Sequence, residues 1–569
     1  MYVTRPLSYY QRNPDALSLP PEGPNSGYLV IQDEESETYC CFGLCKKFDI
    51  MDMPIPQNKK LTVGYESGSG ENRSASRDEV MFIPVLNKPL SSNQYYAIKH
   101  HGKRKGQAFT CSTEEDQQTC CFCTCIQDVK PKPLDPEEAY QQFEICLCDT
   151  CCNAKGIFFA KSLAPDGFPP YFLRQKGWHL SAETPKNYEL NDDALGLNPE
   201  LRQQLPQFNY TSSSKSSEVV VVGKWYCPFA FIKDGTELKE QMKRSIFYEM
   251  TLEQRWEQFF TCQNDKLNEG NSVLVDVTLD TEVVLIAGTN KATWDDRNVV
   301  EGVIWFKSYG KDGNEVSSLG LRREIFERMK WEQQRGGWQN QGRIKQVEEN
   351  RENSSGWRRF SCYVLVERFV LRRMDRSLVM TYDFKHIDKK SSEVVVGNWY
   401  CPFVFIKDGT ELKKHMKRSM FYEMTLEQRW EQFFTCQNDK INEWNSVLVD
   451  VALDTQVVLI AGTDKATWDD RNVMEGVIWF KSYSKDGNEV SSLGLKHEIV
   501  ERMKWEQQRG GWQNQGRIKQ VEENRENSNG WRRLSCYVLV ERFVLRRMDR
   551  SLVMTYDFKH IEKVKSIWD

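Results

Sequence analysis

A long block of this chain is written twice. Gly223-Lys224-Trp225-Tyr226-Cys227-Pro228-Phe229 returns as Gly397-Asn398-Trp399-Tyr400-Cys401-Pro402-Phe403, and an offset of 174 residues then holds without a gap through Tyr382–His386 and Tyr556–His560. Residues 223–387 and 397–561 differ at 17 of 165 positions. A period this long is a duplicated domain and not a solenoid unit, which would recur every ~20–50 residues. Whatever fold the first copy takes, the second must be able to take as well. Shared residues carry little functional information at such identity. The changes are mostly mild, as at Ile246 against Met420, Leu267 against Ile441 and Thr278 against Ala452, while Ala230 against Val404 and Gly270 against Trp444 add apolar bulk to copy two.

The duplication sets the boundaries. Residues 1–210 are unrepeated, 216–390 form copy one and 391–569 copy two. Asn209–Ser217 is polar and lacks apolar period, the mark of a linker. The junction between the copies, Asp388–Glu393, is six residues long and spans at most ~21 Å, so the copies sit close together.

Each copy reads as α+β, a mostly antiparallel sheet with about two helices. Thr251 resembles an N-cap, with Gln254 three residues on and an apolar stripe of Leu252, Trp256, Phe259 and Phe260. A second helix is expected over Leu321–Arg335, stopped by Gly336-Gly337. Strands are expected at Val273–Leu279, Val283–Ile286 and Glu301–Tyr309, the last leading into the turn Lys311–Asn314. Cys362–Leu371 and Leu378–Phe384, joined across Met374–Ser377, predict the clearest hairpin. The N-terminal region is β-rich, with short strands expected at Tyr28–Gln32, Glu79–Leu86, Tyr95–Lys99, Gln107–Cys111, Tyr140–Cys146 and Ile157–Lys161.

Twelve of the 18 cysteines fall between Cys40 and Cys152. Cys120 with Cys123 and Cys148 with Cys151 give two C-x2-C knuckles, the ligand type and count of a tetrahedral zinc site, over a spacer of 24 where ~15–20 is usual. Against zinc stand buried structural thiols, reversible acylation beside Phe42 and Phe122, and redox chemistry. Structural thiols are the leading reading, with no cofactor required and zinc the alternative.

Other candidates are weaker. Lys99–Lys105 is the one basic run, and its place between two expected strands favours a solvated hairpin loop over a nuclear signal or phosphate patch. The seven histidines form no H-E-x-x-H, and neither G-x-S-x-G nor a P-loop occurs. Trp294-Asp295-Asp296-Arg297 reads as a loop, and Asp383–His386 as a strand end with a structural histidine. Trp225, Tyr226, Trp305, Phe306, Trp331 and Trp338 are core aromatics first and pocket-lining residues second. A net charge of -4 and a pI near 6.1 argue against nucleic acid. No secretory leader or membrane span is legible, so a cytoplasmic location, extending to the nucleus, is expected.

The strings MYVTRPLS, LSLPPEGPNSGYLVIQDEE, CCFGLC, LNKPLSSNQYYAIK, DGFPPYFLR, GKWYCPF, MTLEQRWEQFF, ERMKWEQ and LVMTYDFKH resemble a plant-specific family, domain of unknown function 1262. The resemblance covers essentially the whole chain, a usual member corresponding to residues 1–387. It implies an intracellular plant protein tied to stress or defence, and it supplies no activity, cofactor or catalytic residue to carry over. The expectation is a non-enzymatic interaction or regulatory protein with protein partners. The alternative is a zinc-stabilised cysteine-rich module with a catalytic or nucleic-acid role. Copy two lacks an N-terminal region of its own, so it is expected to dock on copy one or to self-associate.

Overall fold

The segment Phe247–Gln263, expected to hold a helix from Thr251, is a 17-residue strand in the computed structural model of the chain. Its apolar stripe fits both periods, and pairing decides between them. Tyr248–Gln263 faces Arg359–Arg373 on one side and Val220–Pro228 borders it on the other, so a central position in the sheet overrides the local capping signal. Aromatic and β-branched side chains are suited to that place.

The structure describes the chain apart from residues 41–44, 68–73, 121–122, 149–155, 186–189, 191–192, 207–214, 245, 265–271, 350–356, 410–419, 438–445, 470, 472, 515, 524–532 and 569. The architecture is mostly β. Strands β1 (Tyr2–Pro6) and β2 (Gly27–Ile31) pair in parallel. A seven-stranded sheet follows in the order Phe158–Ser162, Gln142–Leu147, Gln94–Lys99, Ser74–Pro84, Lys60–Ser67, His179–Glu183 and Asp49–Ile50. The strand expected at Gln107–Cys111 is absent; Ala108 makes isolated bridges to Ile98 and Lys132 instead. Helix α1 (Pro199–Gln204) has Asn198 as its N-cap, the side chain accepting from Leu201 N, and Pro199 in its first turn.

Copy one is built on β3 (Val220–Pro228), β4 (Phe247–Gln263), helix α2 (Arg323–Arg335), β5 (Arg359–Arg373) and β6 (Leu378–Pro402). Its long helix is the one expected at Leu321–Arg335; a shorter one spans Leu238–Arg244. The expected hairpin is β5–β6, turned at Arg376 with φ 67°. Strand Ser272–Thr278 pairs with Arg343–Glu349, a partner the sequence did not announce.

The junction Asp388–Glu393 lies inside β6, one unbroken strand of 25 residues. Leu378–Val395 pairs with β5 and closes copy one, Glu393–Pro402 pairs with β7 (Phe421–Gln437) and opens copy two, and residues 393–395 are paired on both sides. Copy two continues through α3 (His497–Arg509), β8 (Arg533–Arg547) and β9 (Leu552–Trp568). β7 pairs with β8 in the register that β4 has with β5. The long strands of both copies belong to one 17-stranded sheet.

The cores are distributed unequally. One apolar cluster joins Ile83, Tyr96 and Ile98 of the N-terminal region to Trp225, Phe229, Phe247 and Met329 of copy one. Copy two has its own cluster around Tyr422, Phe480 and Met503, with no member from the N-terminal region among the described residues.

Candidate interaction site

Three elements converge on Glu367 in β5. Asn198 starts α1 so that Arg202 comes one turn later and points into copy one. Its Nε and Nη2 donate to Glu367 Oε1 and Oε2 at 2.7 and 2.6 Å, and Nη2 also donates to the Glu332 carbonyl at 2.9 Å. Gln254 from β4 donates to Glu367 Oε1 at 2.9 Å, and His386 Nε2 from β6 lies 3.0 Å from Oε2. Arg202 is 8% exposed and Glu367 1%. Burial alone pushes the Glu367 carboxyl up, but the hydrogen bonds from His386 and Arg202 and the Arg202 charge hold it well below the usual carboxylate range. Gly336, ending α2, leaves the room: a Cβ there would lie 2.2 Å from Arg202 Nη2.

The chain beside α1 also extends the sheet. Gly196 and Leu197 pair antiparallel with Lys224 and Gly223, Tyr2 pairs with Tyr226, and Asn198 N donates to the Val222 carbonyl at 2.8 Å. Three further ion pairs tie the N-terminal region to copy one: Lys224 with Asp193 at 2.7 Å beside this edge, and, at the start of α2, about 20 Å along the helix from Gly336, Arg322 with Asp135 at 2.8 Å and Arg323 with Glu137.

Copy two repeats this pocket, without a counterpart of Arg202 among the described residues. Gln428 Nε2 donates to Glu541 Oε1 at 2.6 Å, and His560 Nε2 stands 3.0 Å from Glu541 Oε2. Gly510, the counterpart of Gly336, again closes the helix beside that carboxylate, and a Cβ there would lie 3.0 Å from Glu541 Oε2. Among the described residues no arginine takes the position of Arg202. Residues 397–402 pair only with β7 among those described, leaving the other edge of the strand open. Side chains covered in copy one are correspondingly bare: Tyr400 is 62% exposed against 1% for Tyr226, and Met420 55% against 2% for Ile246. Arg502 has a side chain 50% exposed where Arg328 has 4%.

The remaining candidates fall elsewhere. Cys120 and Cys123 are direct cross-strand neighbours on the paired strands Gln117–Cys120 and Cys123–Ile126, though their side chains are not among those described. Cys148 follows the strand Gln142–Leu147 and donates its N–H to the Ile157 carbonyl at 2.8 Å; Cys151 lies outside the described residues. Among the described residues there is no group of three His, Cys, Asp or Glu placed to hold a metal. Lys99–Lys105 ends a strand and turns at Gly102, the loop expected of it. His386 is buried against Glu367 as a structural histidine would be, but it lies inside β6 and not at the strand end expected, and its partners Glu367, Gln254 and Arg202 were missed.

An open groove of about 670 Å³ is lined by Trp294, Asp295, Trp305, Lys307, Tyr309 and Glu315, among others. Trp305 therefore lines a pocket, whereas Trp225 is core and Trp338 packs edge-on to Phe384. Asp295 caps the Arg297 N–H and Glu315 pairs with Lys307 at 2.8 Å, and these hydrogen bonds hold both carboxyls below the usual range. Neither is poised as a general acid near neutrality.

No curated protein matches the chain. Among solved structures it is similar to Cry35Ab1 at 11% identity, over 59% of this chain and 90% of that one, with a TM-score of 0.32. It is similar to the type II cohesin dyad from the adaptor ScaA scaffoldin of Acetivibrio cellulolyticus at 7% identity, over 53% and 90%, with a TM-score of 0.08. At these scores neither likeness bears on fold or function. Residues 22–122 match the model of a family described as a protein of unknown function, DUF1262.

Proposed function

We propose that this protein is a non-enzymatic interaction protein whose second copy presents a docking face to another polypeptide. The observation that supports this is the contrast within one chain: Tyr226 and Ile246 are buried at 1% and 2%, and their counterparts Tyr400 and Met420 are 62% and 55% exposed. Val404 is 53% and Trp505 48% exposed on the same module. Large apolar side chains gathered around an open strand edge mark contact surfaces, and each fully buried one is worth about 1.5–3 kcal/mol. The aromatic groove of copy one, with both carboxylates neutralised by cations or backbone, offers no acid–base pair and weighs on the same side.

Hydroxyl-radical footprinting of the full chain tests the proposal. Tyr400, Met420 and Trp505 are expected to oxidise readily in the free protein, Tyr226 slowly, and a cell extract of the source tissue to protect the copy-two residues selectively. Protection of all three in the purified, monomeric chain would refute an open face.

A further inference from the structure

We infer that the open face of copy two is a receptor for an arginine-bearing segment supplied in trans by a different polypeptide: a short strand that adds to the Gly397–Asn398 edge, followed by a helical turn that delivers a guanidinium to Glu541. This rests on the docking-face reading and names the partner's chemistry.

The same chain shows how such a segment binds. In copy one Gly196-Leu197 adds to the edge at Gly223-Lys224, Asn198 caps the helix, and Arg202 forks onto Glu367. The receptor in copy two keeps each part: the carboxylate Glu541, its supports Gln428 and His560, and Gly510 leaving space beside it. Glu541 is 4% exposed, a buried carboxylate held by two groups where its counterpart has three. A forked guanidinium is the cation whose geometry matches such a carboxylate. Open β edges recruit strands, and the charge then selects which strand.

A second copy of this chain does not fit as the occupant. Each chain carries one Gly196–Arg202 segment and two receptors, so lending the segment to a neighbour vacates the donor's own copy one and gains nothing. The rim has also changed. Lys224, Arg322 and Arg323, which hold Asp193, Asp135 and Glu137, become Asn398, Lys496 and His497. A partner that supplies the strand and the arginine without those acids fits better.

The test uses the full chain and a labelled synthetic peptide of residues 194–207, which contains the strand, cap and arginine but none of the rim acids. Fluorescence anisotropy is expected to show one saturable site per chain. Replacing the peptide's arginine by glutamine should weaken binding about tenfold or more, the loss of a charge-assisted fork. Glu541→Gln in the chain should do the same, and so should Gly510→Ala, whose backbone φ of -72° suits alanine; circular dichroism checks that both variants fold. Equal binding of the two peptides, or no binding while Tyr400 and Met420 remain open to hydroxyl radicals, overturns the arginine receptor and leaves the docking face standing. Concentration-dependent protection of those residues with dimer formation on a sizing column makes the occupant a second copy and overturns it as well. Protection in the free monomer refutes the docking face itself.

Discussion

Truncating Arg202 should release the N-terminal region's grip on copy one while leaving copy two untouched. The side chain is 8% exposed and makes three hydrogen bonds of 2.6–2.9 Å, two to a carboxylate that is itself 1% exposed. Removing one partner of a buried pair costs about 3–5 kcal/mol, chiefly because the other charge is left without compensation. Copy two sets where in that range the value falls. There Glu541 stays buried on Gln428 and His560 among the described residues, so the lower end, about 3 kcal/mol, applies. Arg202→Lys should cost about half as much, since an ammonium cannot fork. The readout is native-state hydrogen exchange followed by mass spectrometry, because a three-part chain need not unfold in two states. The amide of Asn198, bonded to the Val222 carbonyl, reports the contact directly. A loss of about 3 kcal/mol accelerates its exchange roughly 150-fold. Amides along β7 and β8 should not change. Acceleration below about threefold, or equal acceleration in both copies, would refute the reasoning.

Other perturbations separate the copies or probe buried groups. Trp331 lies against Gly23 and between Arg328 and Arg335, so Trp331→Ala should destabilise the chain by about 2–3 kcal/mol in urea; Trp505→Ala, at a site 48% exposed, should cost under about 1. Burial pushes the Glu393 carboxyl up to about 7, Glu427 adding to the rise while Arg359, Arg429 and Arg542 oppose it. Because the folded protein holds that proton more tightly than the unfolded chain, the stability present below pH 4.5 declines up to about pH 7. Glu393→Gln should therefore stabilise by up to about 3 kcal/mol above pH 7 and by little at pH 4, and a pH-independent difference would refute it. Burial raises the thiols of Cys111, Cys227 and Cys401 to about 11, so these three should resist a thiol reagent at pH 8 until the chain is denatured. Elemental mass spectrometry decides the role of Cys120, Cys123, Cys148 and Cys151: one zinc per chain, lost when all four become serine, assigns a metal site, and a metal-free chain that keeps its fold without them assigns structural or surface thiols.

What could be read in the sequence was whatever is local. The β5–β6 hairpin follows from two apolar runs around Asp375-Arg376-Ser377, and α2 from an apolar stripe ended by two glycines. Thr251–Phe260 misled because its stripe satisfies both periods, and the pairing that decides lies about 110 residues away on β5. The polar alternation of Asp388–Glu393 resembles a linker until both sides are seen to pair. The β-rich expectation for residues 1–210 missed α1, although Asn198-Pro199 carries the cap-then-proline signal of a helix start. Nothing near Arg202 could say that its carboxylate lies 165 residues on, since a charge pair across such a separation leaves no local periodicity.

The two copies act as each other's control, and the inference to draw from them lies in where they differ. With 17 changes in 165 positions, retention of Gln428, Glu541, His560 and Gly510 carries little weight by itself. The changes are another matter, because three of them remove or alter the three cations that hold acids of the N-terminal region against copy one. Charges at the rim of an interface govern encounter and partner choice more than they govern affinity, which the buried centre supplies. A centre kept for arginine with a rim altered away from Asp135, Glu137 and Asp193 is what would favour a different arginine-bearing chain over the one already bound next door. Restoring Asn398→Lys should then tighten copy two's hold on a free peptide of residues 190–207, which carries the Asp193 that Lys224 holds in copy one, and leave its hold on residues 194–207 unchanged, with fluorescence anisotropy as the readout.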